Sequence, residues 1–208
     1  MVKQERAVRT RANVLRAAAA EFDRSGYDGT SLSKVSKAAG LSVGALTFHF
    51  STKAELADAV LEEGWSVTRA ALERVTKESA PPLRTIIDLT LELARLMEEE
   101  VSVRSAVRLA RELPAVPPWS DGWLPTVREL LDEAHRTGQL REDALPTDVT
   151  TLVDHLTSGA EAYLRSRLAS KSEYESAVAR LERVWRLVLA GVSKEGVPEP
   201  PDRSPARG

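Results

Sequence analysis

The segment from Thr30 to Lys53 leaves few folds open to this chain, because its capping and turn residues divide it into two short helices. Thr30 or Ser31 suits the N-cap of the first helix, since a side-chain oxygen there accepts an otherwise unpaired backbone N–H. Gly40 is expected to end that helix in the left-handed conformation, and Ser42 to cap the second. Two short helices around so tight a turn form a helix-turn-helix, the arrangement that places its second helix in the major groove of DNA.

The whole 24-residue segment identifies a family more specifically than the turn between its two helices does. An apolar-Gly-apolar corner such as Ala39-Gly40-Leu41 is common in small helical domains and indicates little alone. The longer run, Thr-Ser-Leu-Ser-Lys-Val-Ser-Lys-Ala-Ala-Gly-Leu-Ser-Val-Gly-Ala-Leu-Thr-Phe-His-Phe-Ser-Thr-Lys, resembles the TetR family of transcriptional regulators. An upstream amphipathic helix, predicted over residues 8–23 with Gly26-Tyr27 as its exit, fits the same family.

The resemblance implies a role for each position around the second helix. The residues implied to contact phosphates are Ser42, Thr47, His49 and Lys53, and those implied to face base edges are Val43, Gly44 and Ala45. Phe48 and Phe50 are interpreted as core residues, because aromatic rings two positions apart cannot share one exposed face. The family usually places Tyr where this chain has Thr47, and close relatives often carry Lys where it has Val43, so the operator is expected to differ from theirs.

Charge is divided unevenly along the chain, although the net charge is only −2. Residues 1–53 carry nine Lys or Arg against four Asp or Glu, a net +5, whereas the remainder carries 20 basic and 27 acidic residues, a net −7. A basic head on an acidic body is expected when only the head meets phosphate. Arg6, Arg9 and Arg11 precede the first core positions and are expected to follow the DNA backbone.

The remaining sequence predicts an all-α protein of about nine helices, because apolar residues recur at helical spacing and no strand-like alternation occurs. The predicted domains are a three-helix helix-turn-helix DNA-binding domain (1–53), a helical ligand-binding and dimerisation domain (54–192) and a Pro-rich, disordered tail (193–208). Cysteine is absent, which excludes disulfides and thiol chemistry. The sequence also lacks a recognisable signal peptide or membrane-spanning run, so a cytoplasmic location is expected.

Two apolar helices close the predicted body, and in the family that this chain resembles the last two helices form the dimer interface. A homodimer with a four-helix interface is therefore expected. The candidate interface residues are Leu152, Leu156, Tyr163, Val178, Leu181 and Trp185.

The body has more helix than DNA binding requires, which predicts a small-molecule effector site. Within the family, the chain is most similar to the γ-butyrolactone autoregulator receptors and pseudo-receptors, through residues 3–11, the Phe48-His49-Phe50 run and residues 103–110. The candidate ligand-binding residues are Trp123, Trp119, Trp65 and Thr157. An anchor of a loop is an equal interpretation for Trp119, and helical spacing alone makes Trp65 and Thr157 core residues. Those receptors often carry Gln near position 64 and Thr near position 156, where this chain has Gly64 and Leu156, so an antibiotic or another hormone-like molecule remains an alternative effector.

The function implied by the resemblance is that of a repressor whose dimer occupies a promoter until a ligand releases it. A helical enzyme and a non-specific architectural DNA-binding protein remain the alternatives. His49, His135 and His155 lack metal-ligand spacing, and neither a Ser/His/Asp arrangement nor a phosphate-binding loop is visible. No enzyme activity, cofactor or metal is therefore expected.

Overall fold

The computed structural model describes residues 2–169 and 175–194, and this part of the chain is all-α, as predicted. Its nine α-helices are α1 (Val2–Gly29), α2 (Leu32–Ala38), α3 (Val43–Thr47), α4 (Lys53–Lys77), α5 (Pro82–Glu99), α6 (Val101–Glu112), α7 (Leu124–Arg136), α8 (Pro146–Ala169) and α9 (Ala177–Val192), with a short 3₁₀ turn at Trp119–Gly122. None of these helices is both long enough and apolar enough to cross a membrane. Most of the predicted tail, residues 195–208, lies outside the described residues.

The head consists of α1, α2, α3 and the start of α4. Gly26, at φ 71°, interrupts the helical backbone near the end of α1, and Gly40, at φ 68°, makes the turn after α2. The caps form as predicted: Ser31 accepts from the Lys34 amide at 3.3 Å, and Ser42 accepts from the Ala45 amide at 3.1 Å. The head encloses its own apolar core, which includes Val14, Phe22, Val35, Leu46, Phe50 and Leu56.

The body packs around α5, which is flanked by α4, α6, α7, α8 and α9. Its buried side chains include Ile86, Leu89, Leu93 and Met97. One polar pair crosses this core, where the Trp185 indole donates to the Thr90 hydroxyl at 2.8 Å. An antiparallel bridge between Leu140 and Ser193 ties the chain after α9 to the loop that follows α7.

Helix α6 joins the head to the body. Ala106 and Leu109 belong to the head core, whereas Val103 and Val107 belong to the body core. Helix α4 crosses α6 at Gly64, where an added Cβ would lie 2.5 Å from the Ala106 Cβ and 2.6 Å from the Ser102 carbonyl oxygen. Gly64 is therefore required by a close helix crossing, and head and body share packed side chains.

Two predictions about buried side chains need correction. Leu181 and Trp185, predicted to face a second copy, lie inside this chain's own core, because an apolar stripe directed inward has the same helical spacing as one directed outward. Phe48, predicted to be a core residue together with Phe50, is 83% exposed while Phe50 is buried. Rings at i and i+2 indeed point apart, and only one of them points inward.

Candidate DNA-binding head and effector cavity

The reading helix α3 presents one face to solvent and buries the other. Leu46 fixes it to the head core, while Ser42, Val43, Gly44 and Ala45 are exposed. A Cβ built on Gly44 would meet no neighbour within 4 Å, so this face is open. Small exposed residues at the start of a helix allow close approach to the bases of a major groove.

The end of α3 carries three side chains beside the open face. The Thr47 hydroxyl donates to the Gly44 carbonyl at 3.2 Å, so it must leave this bond before it can donate to a phosphate. His49 is half-buried, and its ring lies edge-on to the exposed Phe48 ring at 5.3 Å between centroids. The surface predicted to contact DNA therefore includes a large apolar side chain that the sequence analysis assigned to the core.

Basic residues flank this face. Arg9 and Arg11 on α1 are exposed, and the Arg11 guanidinium lies 4.9 Å from the centre of the Phe50 ring. Lys53 differs from them, because its Nζ donates to the Tyr27 carbonyl at 3.0 Å and lies 4.2 Å from the centre of the Tyr27 ring. Lys53 thus holds α4 against the end of α1, and only its remaining N–H groups can reach a phosphate.

A cavity of about 320 Å³ in the body brings three of the four candidate ligand residues together. Its lining residues are Val107, Ala110, Arg111, Pro118, Trp119, Ser120, Trp123, Asp154, Thr157, Ser158 and Glu161. The two tryptophan rings lie 6.0 Å apart in an edge-on arrangement. Trp65 does not line this cavity and packs between the head and body cores.

Two of the polar side chains that line the cavity have hydrogen-bond partners, and one does not within the described part of the chain. The Trp119 indole donates to the Thr68 hydroxyl at 3.2 Å, and the Thr157 hydroxyl donates to the Val153 carbonyl at 2.9 Å. The Trp123 side chain is 1% exposed, and its Nε1 has no hydrogen-bond partner among the described residues. A buried N–H without a partner costs free energy, so a ligand oxygen that accepts from Trp123 would be favoured.

A second and larger cleft, of about 680 Å³, adjoins this cavity and was not predicted from the sequence. It lies between the end of α1, α6 and α8, and its charged lining residues are Asp23, Arg24, Arg104, Arg108, Arg111, Glu112, Glu161 and Arg165. In the sequence, the helical spacing of Arg104, Arg108 and Arg111 indicates a basic face on α6, which was the one available sign of this cleft. The sequence could not show that α1 and α8 complete the site.

Ion pairs and hydrogen bonds at this cleft connect the head to α6. Arg104 pairs with Asp23 at 3.0 Å, and Arg108 donates to the Asp23 carbonyl at 2.8 Å. The Glu112 carboxylate pairs with Arg108 at 2.8 Å and accepts from the Tyr27 amide at 2.6 Å. Partial burial opposes ionisation of Glu112, but these hydrogen bonds outweigh it and hold its pKa below the ordinary value.

The candidate dimer residues on α8 and α9 fall into two groups. Leu152, Leu156, Tyr163 and Val178 are half-buried within the single chain, whereas Leu181 and Trp185 are buried. Leu187 on α9 is 77% exposed and was not among the predicted interface residues. The partly exposed side chains leave apolar surface on both helices.

Comparison with known proteins agrees with this geometry. Residues 14–60 match the family model of the bacterial regulatory proteins of the TetR family. The chain is 27% identical over 205 residues to the A-factor receptor protein of Streptomyces griseus, covering 95% of this chain and 68% of that protein.

Two solved structures are similar over nearly the whole chain. A γ-butyrolactone receptor described as ArpA-like is 29% identical with a TM-score of 0.77, covering 91% of this chain and 90% of the other. CprB of Streptomyces coelicolor, a TetR family protein solved with its biological operator sequence, is 29% identical with a TM-score of 0.67, covering 90% of each chain. The match to the family in the head, together with the similarity that extends through the body, shows that this chain belongs to the TetR family of bacterial regulatory proteins and is homologous to its γ-butyrolactone receptors.

Proposed function

We propose that this chain is a ligand-responsive transcriptional repressor that binds a pseudo-palindromic operator as a homodimer and is released by a small, largely apolar signal. The signal would be a γ-butyrolactone-type hormone or an antibiotic. The observation that carries the proposal is the position of α6, which lines the cavity through Val107, Ala110 and Arg111 and enters the head core through Ala106 and Leu109. A ligand in the cavity would thus contact the helix on which the head rests.

DNA would be bound by the exposed face of the head. Val43, Gly44 and Ala45 would contact base edges, because they are exposed and small on the open side of α3. The proposed phosphate contacts are Arg9, Arg11, Ser42, Thr47, His49 and Lys53. The operator complex of CprB supports this use of the head by a relative of similar fold. Since operator DNA is the partner, the protein would act in the cytoplasm.

The dimer would form through α8 and α9. Leu152, Leu156, Tyr163 and Val178 would contribute to the interface, and the exposed Leu187 is added to them on the basis of its exposure. A two-fold axis through this interface would place the two α3 helices about one turn of DNA, ~34–36 Å, apart. The two half-sites of the operator would then be read symmetrically.

The effector would bind against Trp119 and Trp123 in the cavity that both line, and a polar atom that reached the unpartnered Trp123 N–H would accept from it. Thr157 would accept a second hydrogen bond through its hydroxyl oxygen. Trp65, which lies away from the cavity lining, is assigned a packing role instead of a ligand contact. Release follows if the ligand binds more tightly to a dimer whose reading helices no longer match the groove spacing.

Selection of random DNA duplexes by the purified full-length protein tests the DNA half of the proposal. The expected product is a pseudo-palindrome with half-sites ~10 bp apart, bound by one dimer in excess of random competitor DNA. Culture extracts of the organism from which the protein comes are then tested for compounds that release the protein from this DNA. Enrichment of no motif, with equal binding of all duplexes, would favour a non-specific architectural protein instead.

A further inference from the structure

Arg104, which lines the arginine-rich cleft between α1, α6 and α8, joins three helices. Its Nε donates to the Asp23 carboxylate of α1 at 3.0 Å. Its Nη1 donates to two carbonyls of α5, those of Met97 at 3.1 Å and Glu98 at 2.8 Å. Since Arg104 itself belongs to α6, one guanidinium holds α1, α5 and α6 together.

The two carbonyls that accept from Arg104 lie in the last turn of α5, which ends at Glu99. The last carbonyls of a helix have no partner within the helix, so a side chain that satisfies them also fixes where the helix end lies. The planar guanidinium donates in fixed directions, and the Arg104 side chain is only 16% exposed. The end of α5 is therefore held at a defined position relative to α1.

Glu98 extends this contact from α5 to α9. Its carboxylate accepts from the Ser176 hydroxyl at 2.9 Å and from the Ala177 amide. Because α9 begins at Ala177, Glu98 satisfies an amide that the helix leaves unpaired and places negative charge at the helix N-terminus. Hydrogen bonds thus run from α1 through Arg104 and the end of α5 to the start of α9.

We propose that Arg104 and Glu98 are positioning residues that set the separation of the two reading helices, so that the dimer selects operators by the spacing of their half-sites. The inference rests on the proposed function, in which α3 reads the DNA and α9 contributes to the dimer interface. The orientation of each head relative to the two-fold axis depends on how α1 and α9 are held within one chain. Arg104 and Glu98 hold both of these helices to the end of α5.

DNA geometry makes such an orientation a source of specificity. One added base pair moves the half-sites apart by about 3.4 Å and rotates one relative to the other by about 35°. A head held rigidly can match one spacing, whereas a head that tilts more freely can match several. Spacing is therefore selected by residues that contact no base.

Substitution of Arg104 should leave the rest of the molecule in place. Arg108 and Glu112 still attach the end of α1 to α6, through the Asp23 carbonyl and the Tyr27 amide. Neither Arg104 nor Glu98 lines the Trp-lined cavity, which is the cavity that contains Trp119 and Trp123. The variant should thus keep its head attached and its effector cavity unchanged, and lose only the link from α1 to α5 and α9.

Selection of random DNA duplexes by the wild type and by Arg104→Gln tests the inference. Both proteins should select the same half-site sequence, because α3 is unchanged, but only the wild type should select one dominant spacing. In titrations, the wild type should prefer that spacing over one longer by a base pair by about tenfold, the preference that one charge-assisted hydrogen bond can enforce. Arg104→Gln should reduce this ratio to about threefold or less.

Glu98→Ala tests the second link and should relax the spacing preference in the same way. The double variant should select no more spacings than either single variant, because both changes interrupt the same chain of hydrogen bonds. Arg84→Gln is the matched control, since Arg84 is a half-buried arginine of α5 that pairs with Asp88 within the same helix. Its spacing preference should equal that of the wild type.

A single dominant spacing in both Arg104→Gln and Glu98→Ala would overturn the inference, as would an equal relaxation in Arg84→Gln or additive effects in the double variant. Thermal unfolding checks that each variant is folded. If Arg104→Gln does not fold, Asp23→Asn replaces it, because that change weakens the link to α1 while Arg104 still caps α5. Failure of the wild type to select any motif would instead count against the proposed function itself.

Discussion

At the residue scale, three buried tryptophans differ in what their indole N–H groups meet. Trp119 donates to Thr68 and Trp185 donates to Thr90, whereas Trp123 has no partner among the described residues. An unpaired buried donor costs about 1–3 kcal/mol. Trp123 is therefore the buried indole whose hydrogen bond is not made within the described residues.

Trp123→Phe should separate ligand recognition from folding. The change removes the unpaired donor, which offsets the cost of the void that the smaller phenyl ring leaves, so stability should change little and DNA affinity should be retained. Effector potency in an operator-release assay should fall about tenfold, the worth of one lost hydrogen bond to the ligand. In the matched variant Trp185→Phe, loss of the bond to Thr90 should lower the free energy of unfolding by about 1 kcal/mol. An unchanged effector response in Trp123→Phe would remove Trp123 from the site.

Glu112 links the head to α6, and its depressed pKa predicts how that link responds to acid. A carboxylate whose pKa is lowered by folding stabilises the protein above its ordinary pKa of 4.5, and that contribution is lost as pH falls through the lower folded value. Glu112→Gln should therefore lower the free energy of unfolding by about 1 kcal/mol at neutral pH, after screening of a partly exposed pair.

Denaturant unfolding between neutral pH and pH ~3 measures this effect. The difference between the wild type and Glu112→Gln should shrink as the solution becomes more acidic. Glu99→Gln is the control, because Glu99 pairs with Arg95 at an exposed position within one helix and should contribute little. A constant difference across the pH range would show that the carboxylate charge is not what stabilises the contact.

At the scale of elements, α6 is the helix that packs into both the head and the body. It contributes to two cores and lines both the Trp-lined cavity and the arginine-rich cleft. Its close crossing with α4 requires the absence of a side chain at Gly64. Small movements at this crossing are therefore transmitted to packed groups in the head.

Gly64→Ala should destabilise the protein, although alanine normally favours a helix. The added methyl would overlap Ala106 and the Ser102 carbonyl, and overpacking of this kind costs about 1–3 kcal/mol. Gly44→Ala on α3 is the matched control, since its Cβ would meet nothing within 4 Å and it lies away from the proposed dimer interface. The control should be stabilised by about 0.5–1 kcal/mol. Thermal unfolding of both variants gives the comparison, and equal shifts would mean that α4 and α6 are less closely packed.

Substitutions at Arg9 on α1 and at Val43 on the reading helix α3 should change DNA affinity with different dependence on the DNA sequence. Arg9→Ala removes an exposed cation and should weaken binding to specific and random DNA alike, lowering the slope of log K against log salt by about one. Val43→Ala should instead change affinity mainly at a base pair within the operator. Titrations at several salt concentrations on both DNAs distinguish the two. Selective loss in Arg9→Ala would contradict its assignment to phosphate.

Local features of these elements could be predicted from the sequence because they depend on neighbouring residues. Ser31, Ser42 and Gly40 cap and break helices through contacts a few positions away, and the structure places them as expected. The start of α1 was less accurate, with residue 8 predicted and Val2 observed, because its polar first turns carry no apolar stripe, whereas the predicted exit coincides with the non-helical Gly26. Long-range pairing, such as that of Glu112 with the Tyr27 amide, has no local signal.

At the scale of the whole molecule, the all-α fold and the family were predictable, whereas the direction of several apolar faces was not. Leu181 and Trp185 show the reason, since helical spacing reveals that a stripe is buried but not by which partner. The arginine-rich cleft shows a second reason, because its charged residues come from three helices, α1, α6 and α8, that are separated in the chain. Such sites become visible only once the helices are packed.

In the proposed mechanism the protein has two coupled states, one with reading helices spaced for DNA and one that the ligand prefers. A ligand can shift this balance only by its difference in affinity for the two states. Coupling is also reciprocal, so operator DNA must weaken effector binding by the same factor by which effector weakens operator binding.

The most direct test is the affinity of the purified protein for fluorescently labelled operator DNA, measured with and without effector in the presence of random competitor. The expected result is specific binding by the wild type, release when effector is added, and loss of release but not of DNA binding in Trp123→Phe. Specific binding that no effector or culture extract relieves, or release that is unaffected by substitutions in the cavity, would contradict the claim that the body cavity controls the DNA-binding head.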